Sequence, residues 1–442
     1  MPTAAELADW DRRHFWHAFT QMAEYEPLIV ERAEGCWLID VHGRRYLDGV
    51  SSLWCNLHGH RHPRIDAAVA EQLGKVAHAT TLGMSNPPAI ELARRLAELA
   101  PGELNHVFFS SDGSCAVEAA LKIAFQYWRQ CARPRPEKRT FLAYSSAYHG
   151  DTIGSTAVGG IARFHSMFEP LLFDVVRLPP PDRRRGDAAV LLAELAGVLA
   201  ERHEEIAALV IEPLVQGAAG MVMQPAGYLR GVRALTERYD VLLIADEIVT
   251  GCGRTGRMFA CEHEGVTPDL LCLGKSLTAG YLPMAATIAT TAIYDAFLGD
   301  YASSCTFHHG HTFGGNPLAA AAACASLDLL AEGRTIDDAL PRQAEWLARA
   351  LAPLASHPHV GDVRQLGLMA GVELVAHRET GAPYAAAERR GYRVCRQSTA
   401  SGVWLRPLGD VVVVMPPLAI APAELELLGR VLADSITTVC GA

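Results

Sequence analysis

Between about residue 105 and residue 290, short apolar runs alternate with segments whose apolar residues recur every three or four positions. Val107 to Phe109, Phe141 to Ala143, Leu209 to Ile211, Val241 to Ala245 and Leu270 to Leu273 are the runs. Val117, Leu121, Ala124 and Trp128 carry the helical spacing. Runs that are apolar on both faces and separated by helices predict an α/β fold, built on a mostly parallel sheet covered on both sides. Such sheets bind ligands beyond the C-terminal ends of their strands. Ser110, Asp112, Tyr148, Glu212, Asp246 and Lys275 all fall just past such ends. The flanks differ: alternating patterns such as Val411 to Met415 and a last helix from Ala423 suggest a smaller α+β domain built from both termini. We expect residues 1–60 and 336–442 to form it, around a large domain at 61–335. An Ala-rich helix from Asn316 to Leu330 joins the two.

Half of the residues are hydrophobic and about a fifth are charged, the profile of a soluble globular protein. A net charge of −10 argues against nucleic acid or an anionic membrane as partner. No apolar run is long enough for a membrane span. Met1 to Asp11 lacks the basic flank and apolar core of a secretory signal. Eleven scattered cysteines with no Cys-x-x-Cys pair read as reduced thiols in a cytoplasmic protein.

Candidate chemistry starts from the four lysines: Lys75, Lys122, Lys138 and Lys275. Lys75 and Lys122 sit in helical stretches, and Lys138 lies in the polar, Pro-rich loop Arg133 to Arg139, where solvated heads are expected. Lys275 alone follows a buried run, with Asp246 ending another. An amine and a carboxylate at the ends of two buried strands suit pyridoxal phosphate, which needs a Schiff-base lysine and an acid to hold its ring nitrogen protonated. Asp246 should therefore have a cationic partner, because a lone buried carboxylate is costly. Ser110-Ser111-Asp112-Gly113-Ser114, between a strand and a helix, reads either as a phosphate cradle or as a plain helix cap. Tyr148 can stack on a planar ring or simply fill the core. Glu247 is expected to pair with Arg254 or Arg257. His58, His60 and His62, and likewise His308, His309 and His311, lack acid or cysteine ligands at metal spacing, so no metal is expected. His308 to Asn316 reads instead as a Gly-rich loop offering the Thr312 hydroxyl to a phosphate.

Taken together, Leu243-Ile244-Ala245-Asp246-Glu247-Ile248, Gly253-Arg254-Thr255-Gly256 and Gly274-Lys275 resemble the signature of class III pyridoxal-phosphate aminotransferases. Further matching segments include Trp16 to Met22, Ser51 to Trp54, Ser114 to Lys122, Tyr148 to Thr152, Gln216 to Met221, His309 to Thr312 and Gly402 to Pro407. The resemblance implies the aspartate-aminotransferase type of pyridoxal-phosphate-dependent transferase fold and a homodimer with shared active sites. It implies Lys275, Tyr148 and Asp246 as catalytic residues, with Gly113, Ser114, His311 and Thr312 completing the cofactor site. Thr312, beside His311, would come from the neighbouring subunit. Phe19, Leu53, Trp54, Tyr148, Gly310 and Arg406 would face small-molecule substrates, Arg406 taking a carboxylate. Within the class, the resemblance is strongest to members that aminate 8-amino-7-oxononanoate in biotin synthesis. It implies S-adenosylmethionine as donor; the alternatives are lysine as donor, or a broad ω-amino-acid transaminase. Phe19 and Leu53 depart from the pattern, replacing a Tyr and the first Trp of a tandem pair.

Overall fold

Strands buried on both faces have to be covered on both, and the central sheet follows from that. The computed structural model describes residues 2–332 and 335–441. Seven strands run in the order Leu104–Ser110, Ala285–Thr290, Leu270–Leu273, Leu242–Asp246, Ile206–Ile211, Thr140–Tyr144, Val175–Leu178. Their side chains divide between the two faces of the sheet with a period of two. Val210, Ile244 and Cys272 pack under the helix Gly113–Gln130, against Ala116, Val117 and Trp128. Leu209, Ile211, Leu243 and Ala245 pack on the other face, against Leu191, Leu195, Leu229 and Val232 of the helices Ala188–Arg202 and Tyr228–Arg238. Ala285–Thr290 is antiparallel to both neighbours. It follows the Lys275 turn without the crossover helix that a parallel return needs.

Both chain ends meet in one four-stranded sheet, Val30–Glu34, Trp37–Asp40, Arg45–Asp48 and Val403–Trp404. A second sheet holds Val360–Leu366, Met369–Leu374, Val411–Val414 and Arg406–Leu408 in that order. The joining helix spans Pro317–Glu332, because the Asn316 side chain accepts from Leu318 N and Ala319 N and stays outside as its cap. The last helix, Pro422–Cys440, begins with proline in its first turn, where no N–H is needed.

Lys138 corrects the reading of its loop as solvated. The residue is fully buried, its Nζ donates to His203 O at 2.7 Å and Ile206 O at 3.1 Å, and it lies 4.8 Å from the Trp128 ring centroid. Burial without an acid partner pushes its amine down to about 8. Composition marked the stretch as polar, but the carbonyls that receive Lys138 come from a turn some sixty-five residues later in the chain.

Candidate active site

Three strand ends bring the central groups together. Lys275 opens the turn after Leu270–Leu273 with φ of 39°, a left-handed conformation rare outside glycine. Its Nζ lies 5.7 Å from the Trp54 ring centroid. Burial holds the amine below its ordinary pKa, against the opposing pull of the Asp246 and Glu212 carboxylates. Asp246 ends its strand buried, with Oδ2 2.7 Å from His149 Nδ1 and Oδ1 accepting from Ile248 N at 3.1 Å. His149 is the cationic or N–H partner that the buried aspartate requires. Sequence alone sets His149 in the Tyr148 turn and offers it no role, since nothing local links residues 149 and 246.

Glu212 follows directly on the third strand, Ile206–Ile211. Its Oε1 accepts from Tyr148 N at 3.1 Å and its Oε2 from Gly217 N at 2.8 Å. Burial pushes this carboxyl up to about 7, with the neighbouring Asp246 charge adding to the rise and His149 opposing it. Tyr148 Oη donates to Asp151 at 2.6 Å, and its ring stacks on His165 and meets Phe164 edge-on. Phe164 in turn meets Phe19, at 5.2 Å between centroids. Phe19 and Leu53 are both exposed, while Trp54 is buried with its ring close to the Gly217 backbone.

At the start of Gly113–Gln130 both readings of the Ser110–Ser114 segment meet. Asp112 caps the helix, accepting from Cys115 N at 3.0 Å, while Ser114 Oγ accepts from Asp151 N at 3.2 Å. A Cβ on Gly113 would come within 2.9 Å of Ile248, which the glycine lets sit against the helix start. Helix N-termini leave N–H groups free to receive an anion. Ser110 Oγ, Trp54 Nε1 and His149 Nε2 are buried without a hydrogen-bond partner among the described residues. Orphaned polar groups of this kind around a desolvated amine and a buried acid fit a planar, phosphorylated aldehyde.

Arg406, on Arg406–Leu408, is half-buried, and no hydrogen bond or ion pair joins its guanidinium to another described residue. Burial lowers its pKa. A desolvated guanidinium with no acid of its own is a carboxylate receptor in chemical terms.

Other expected residues lie apart. The loop carrying Gly310, His311 and Thr312 packs against Phe108, Lys122 and Gln126 through Phe307, His309 and the carbonyls of Cys305 and Thr306, and Thr312 is exposed. Within one chain, then, it does not join the Lys275 cluster. Glu247 corrects a further expectation: it pairs with neither Arg254 nor Arg257. Its carboxyl accepts from Ala260 N and Cys261 N, each at 2.8 Å, and from Thr250 Oγ1 at 2.7 Å. His58 bonds Ser326, His60 bonds Asp48 and Asn56, and His62 caps the helix Pro63–Leu73. A surface groove of about 950 Å³ lies elsewhere, between Lys122, Phe125 and Arg129 on one side and Phe173 and Arg202 on the other, and is lined by none of Lys275, Asp246 and Glu212.

Comparison with known proteins agrees with this geometry. The family model for class-III aminotransferases matches residues 20–436. Adenosylmethionine-8-amino-7-oxononanoate aminotransferase of Nitratidesulfovibrio vulgaris is 53% identical over 98% of this chain and 82% of its own length. Among solved structures, the enzyme of that same name from Methanocaldococcus jannaschii matches with a TM-score of 0.95 at 41% identity, covering 98% of this chain and 99% of its own. A thermostable (S)-enantioselective omega-transaminase from Thermomicrobium roseum matches at 0.94 and 34% identity, over 99% of both chains. A buried lysine and aspartate at adjacent strand ends, within a match that spans nearly the whole chain, mark this protein as a member of the class-III aminotransferase family, enzymes that depend on pyridoxal phosphate.

Proposed function

We propose that this chain aminates 8-amino-7-oxononanoate to 7,8-diaminononanoate, the diamine of biotin synthesis, with S-adenosylmethionine as amino donor. The observation that carries the reading is the cluster at the three strand ends: a desolvated lysine amine beside a buried aspartate held by histidine. The names of relatives such as those from N. vulgaris and M. jannaschii support the substrate, and the unpaired Arg406 supports an acceptor that ends in a carboxylate.

When bound, pyridoxal phosphate supplies the electron sink that stabilises the charge left as a proton leaves the substrate carbon. The rest is done by the chain. Lys275 would be the residue that holds the cofactor's aldehyde end. Burial lowers the pKa of its amine, which favours the uncharged form needed to carry a proton to and from the substrate carbon. Asp246 would accept from the ring N–H, with the His149 bond keeping that carboxylate aimed. Gly113 and Ser114 would hold the phosphate at the helix N-terminus, and Tyr148 would cover the ring. Trp54 excludes water beside Lys275, while Arg406 forks the acceptor carboxylate. Phe19 and Leu53 line the mouth. Their lack of a hydroxyl and of a second indole is the one feature that favours lysine, or a broader ω-amine, as donor.

The protein is proposed to act as a homodimer, with Gly310, His311 and Thr312 of the partner subunit completing the phosphate and substrate sites. Exposed Phe313 on that loop and exposed Leu82 against Gly310 give it apolar surface, as an interface would require. A cytoplasmic setting fits its eleven free thiols; no helix among the described residues is long and apolar enough to cross a membrane. The test is Lys275→Ala: the fold should persist, while turnover and the visible absorption of the lysine-bound cofactor should both vanish. Normal turnover by that variant would remove the basis of the reading.

A further inference from the structure

Arg254 is the largest side chain that is wholly buried among the described residues, and no carboxylate lies within ion-pair distance of it. A guanidinium deprived of water has to place its N–H groups on neutral acceptors. Nη1 donates to Pro416 O at 2.6 Å, and Nη2 donates to Asn56 O at 2.8 Å and lies 3.4 Å from Ser51 Oγ. Its own carbonyl accepts from Leu368 N at 3.1 Å. One residue of the domain that carries Lys275 thus ties together segments from both ends of the chain. Those segments are also tied to each other: Ser51 Oγ donates to Met415 O at 2.7 Å, and Met415 N to Gly49 O at 2.8 Å.

The segment it grips is strained. Ser51, Ser52 and Trp54 have φ of 53°, 60° and 64°, and none is glycine. Left-handed residues in series persist only where the surroundings dictate them. The turn ends at Trp54, whose ring lies by Lys275 Nζ and the Gly217 backbone. Pro416 follows Val411–Val414, the strand paired with Arg406.

We infer that Arg254 is a positioning residue: its guanidinium holds the Ser51–Asn56 turn in its left-handed conformation and so sets Trp54 against Lys275. The planar fork is essential, since three acceptors on two segments, Pro416 on one and Ser51 and Asn56 on the other, match its fixed geometry and a lysine ammonium cannot span them. The inference rests on reading the Lys275 cleft as the transamination site.

Amide hydrogen exchange of the cofactor-free full-length protein tests the clamp without recourse to turnover. In Arg254→Lys, exchange within residues 50–57 should rise about tenfold or more while Ile206–Ile211 keeps its protection. Ser51→Ala, a milder change, should move the same segment in the same direction. With cofactor bound, kcat/KM should fall about tenfold in Arg254→Lys, and Trp54→Ala added to that variant should cost far less than it does alone, because the wall is already displaced. Unchanged exchange at 50–57, a rise spread equally through the central sheet, or effects of Arg254→Lys and Trp54→Ala that simply multiply would each overturn the proposal. If Arg254→Lys does not fold, the Ser51→Ala exchange pattern decides. Should the wild-type protein transfer no amine, the reading of the site fails, and the exchange result still decides the clamp.

Discussion

Arg406 and Glu212 each turn a local environment into a measurable consequence. Arg406 has no acid partner, so replacing it leaves no orphaned carboxylate behind and removes a desolvated charge. Arg406→Leu is therefore expected to keep or raise Tm, while kcat/KM for a carboxylate-bearing acceptor falls by about a hundredfold, the cost of losing a buried charge partner. Steady-state kinetics beside a melting curve checks both halves; a large fall in Tm with unchanged kcat/KM would assign Arg406 to structure instead. Glu212 makes a pH prediction. Its carboxyl sits at about 7 in the fold against 4.5 in the unfolded chain, so between those values the native state holds a proton that the unfolded state releases. Stability should fall as pH rises through that window and level off above it, the whole loss being a few kcal/mol at most. Glu212→Gln cannot titrate and should flatten that stretch of the denaturation profile; identical slopes in the two proteins would refute the assignment. Lys275 and Asp246 were legible in the sequence because each ends an apolar run. The His149–Asp246 and Glu212–Tyr148 bonds were not, because they join residues 97 and 64 positions apart. Glu247 departs from expectation for a related reason: backbone N–H groups, which a sequence does not distinguish, satisfy it better than a nearby arginine.

Among the elements, the turn after Thr140–Tyr144 and the helix Gly113–Gln130 are locked together at one glycine. Gly150 has φ of 123°, and a Cβ there would fall on Ser114 Oγ and within 2.8 Å of Ser114 Cα. Gly150→Ala should therefore push the Tyr148 turn off the helix start, costing about 2 kcal/mol or more of stability from backbone strain and overpacking. Cofactor retention on dialysis should fall with it, and retention equal to wild type would show that the two elements need not touch. Element positions were read well where burial alone sets the pattern: Leu270–Leu273 has the bounds its apolar run predicts, the strand for Val241 to Ala245 is shifted one residue along to Leu242–Asp246, and the other runs extend by one to a few residues. Ala285–Thr290 escaped notice because Ala and Thr form a strand here through packing in the sheet, with little apolar signal of their own. The N-terminal helix Ala4–His14, in sequence only a polar stretch, is held by a Thr3–Glu6 capping box and buries no residue.

For the whole molecule, the proposed shared site predicts complementation between defective chains. Lys275→Ala and Thr312→Asp should each be inactive alone, the first lacking the amine and the second repelling the phosphate. When the two are mixed and allowed to exchange subunits, one site per heterodimer regains an intact Lys275 and Thr312, so about half of wild-type activity per heterodimer should return. No recovery would mean that each chain builds its site alone. The Gly-rich loop around the exposed Thr312 suggested a hydroxyl offered to a phosphate, but its assignment to the neighbouring subunit's site came only from the resemblance to the class, since the sequence of one chain says nothing of where its copy sits.

The proposed reaction is tested head-on by giving the purified, cofactor-loaded protein 8-amino-7-oxononanoate together with S-adenosylmethionine or lysine, and following 7,8-diaminononanoate by mass spectrometry, with Lys275→Ala as control. Product is expected with S-adenosylmethionine, little or none with lysine, and none from the variant. Product with lysine alone would correct the donor and leave the acceptor standing, whereas no product with either donor, from a protein that transfers amines to other oxo acids, would rule out the proposed function.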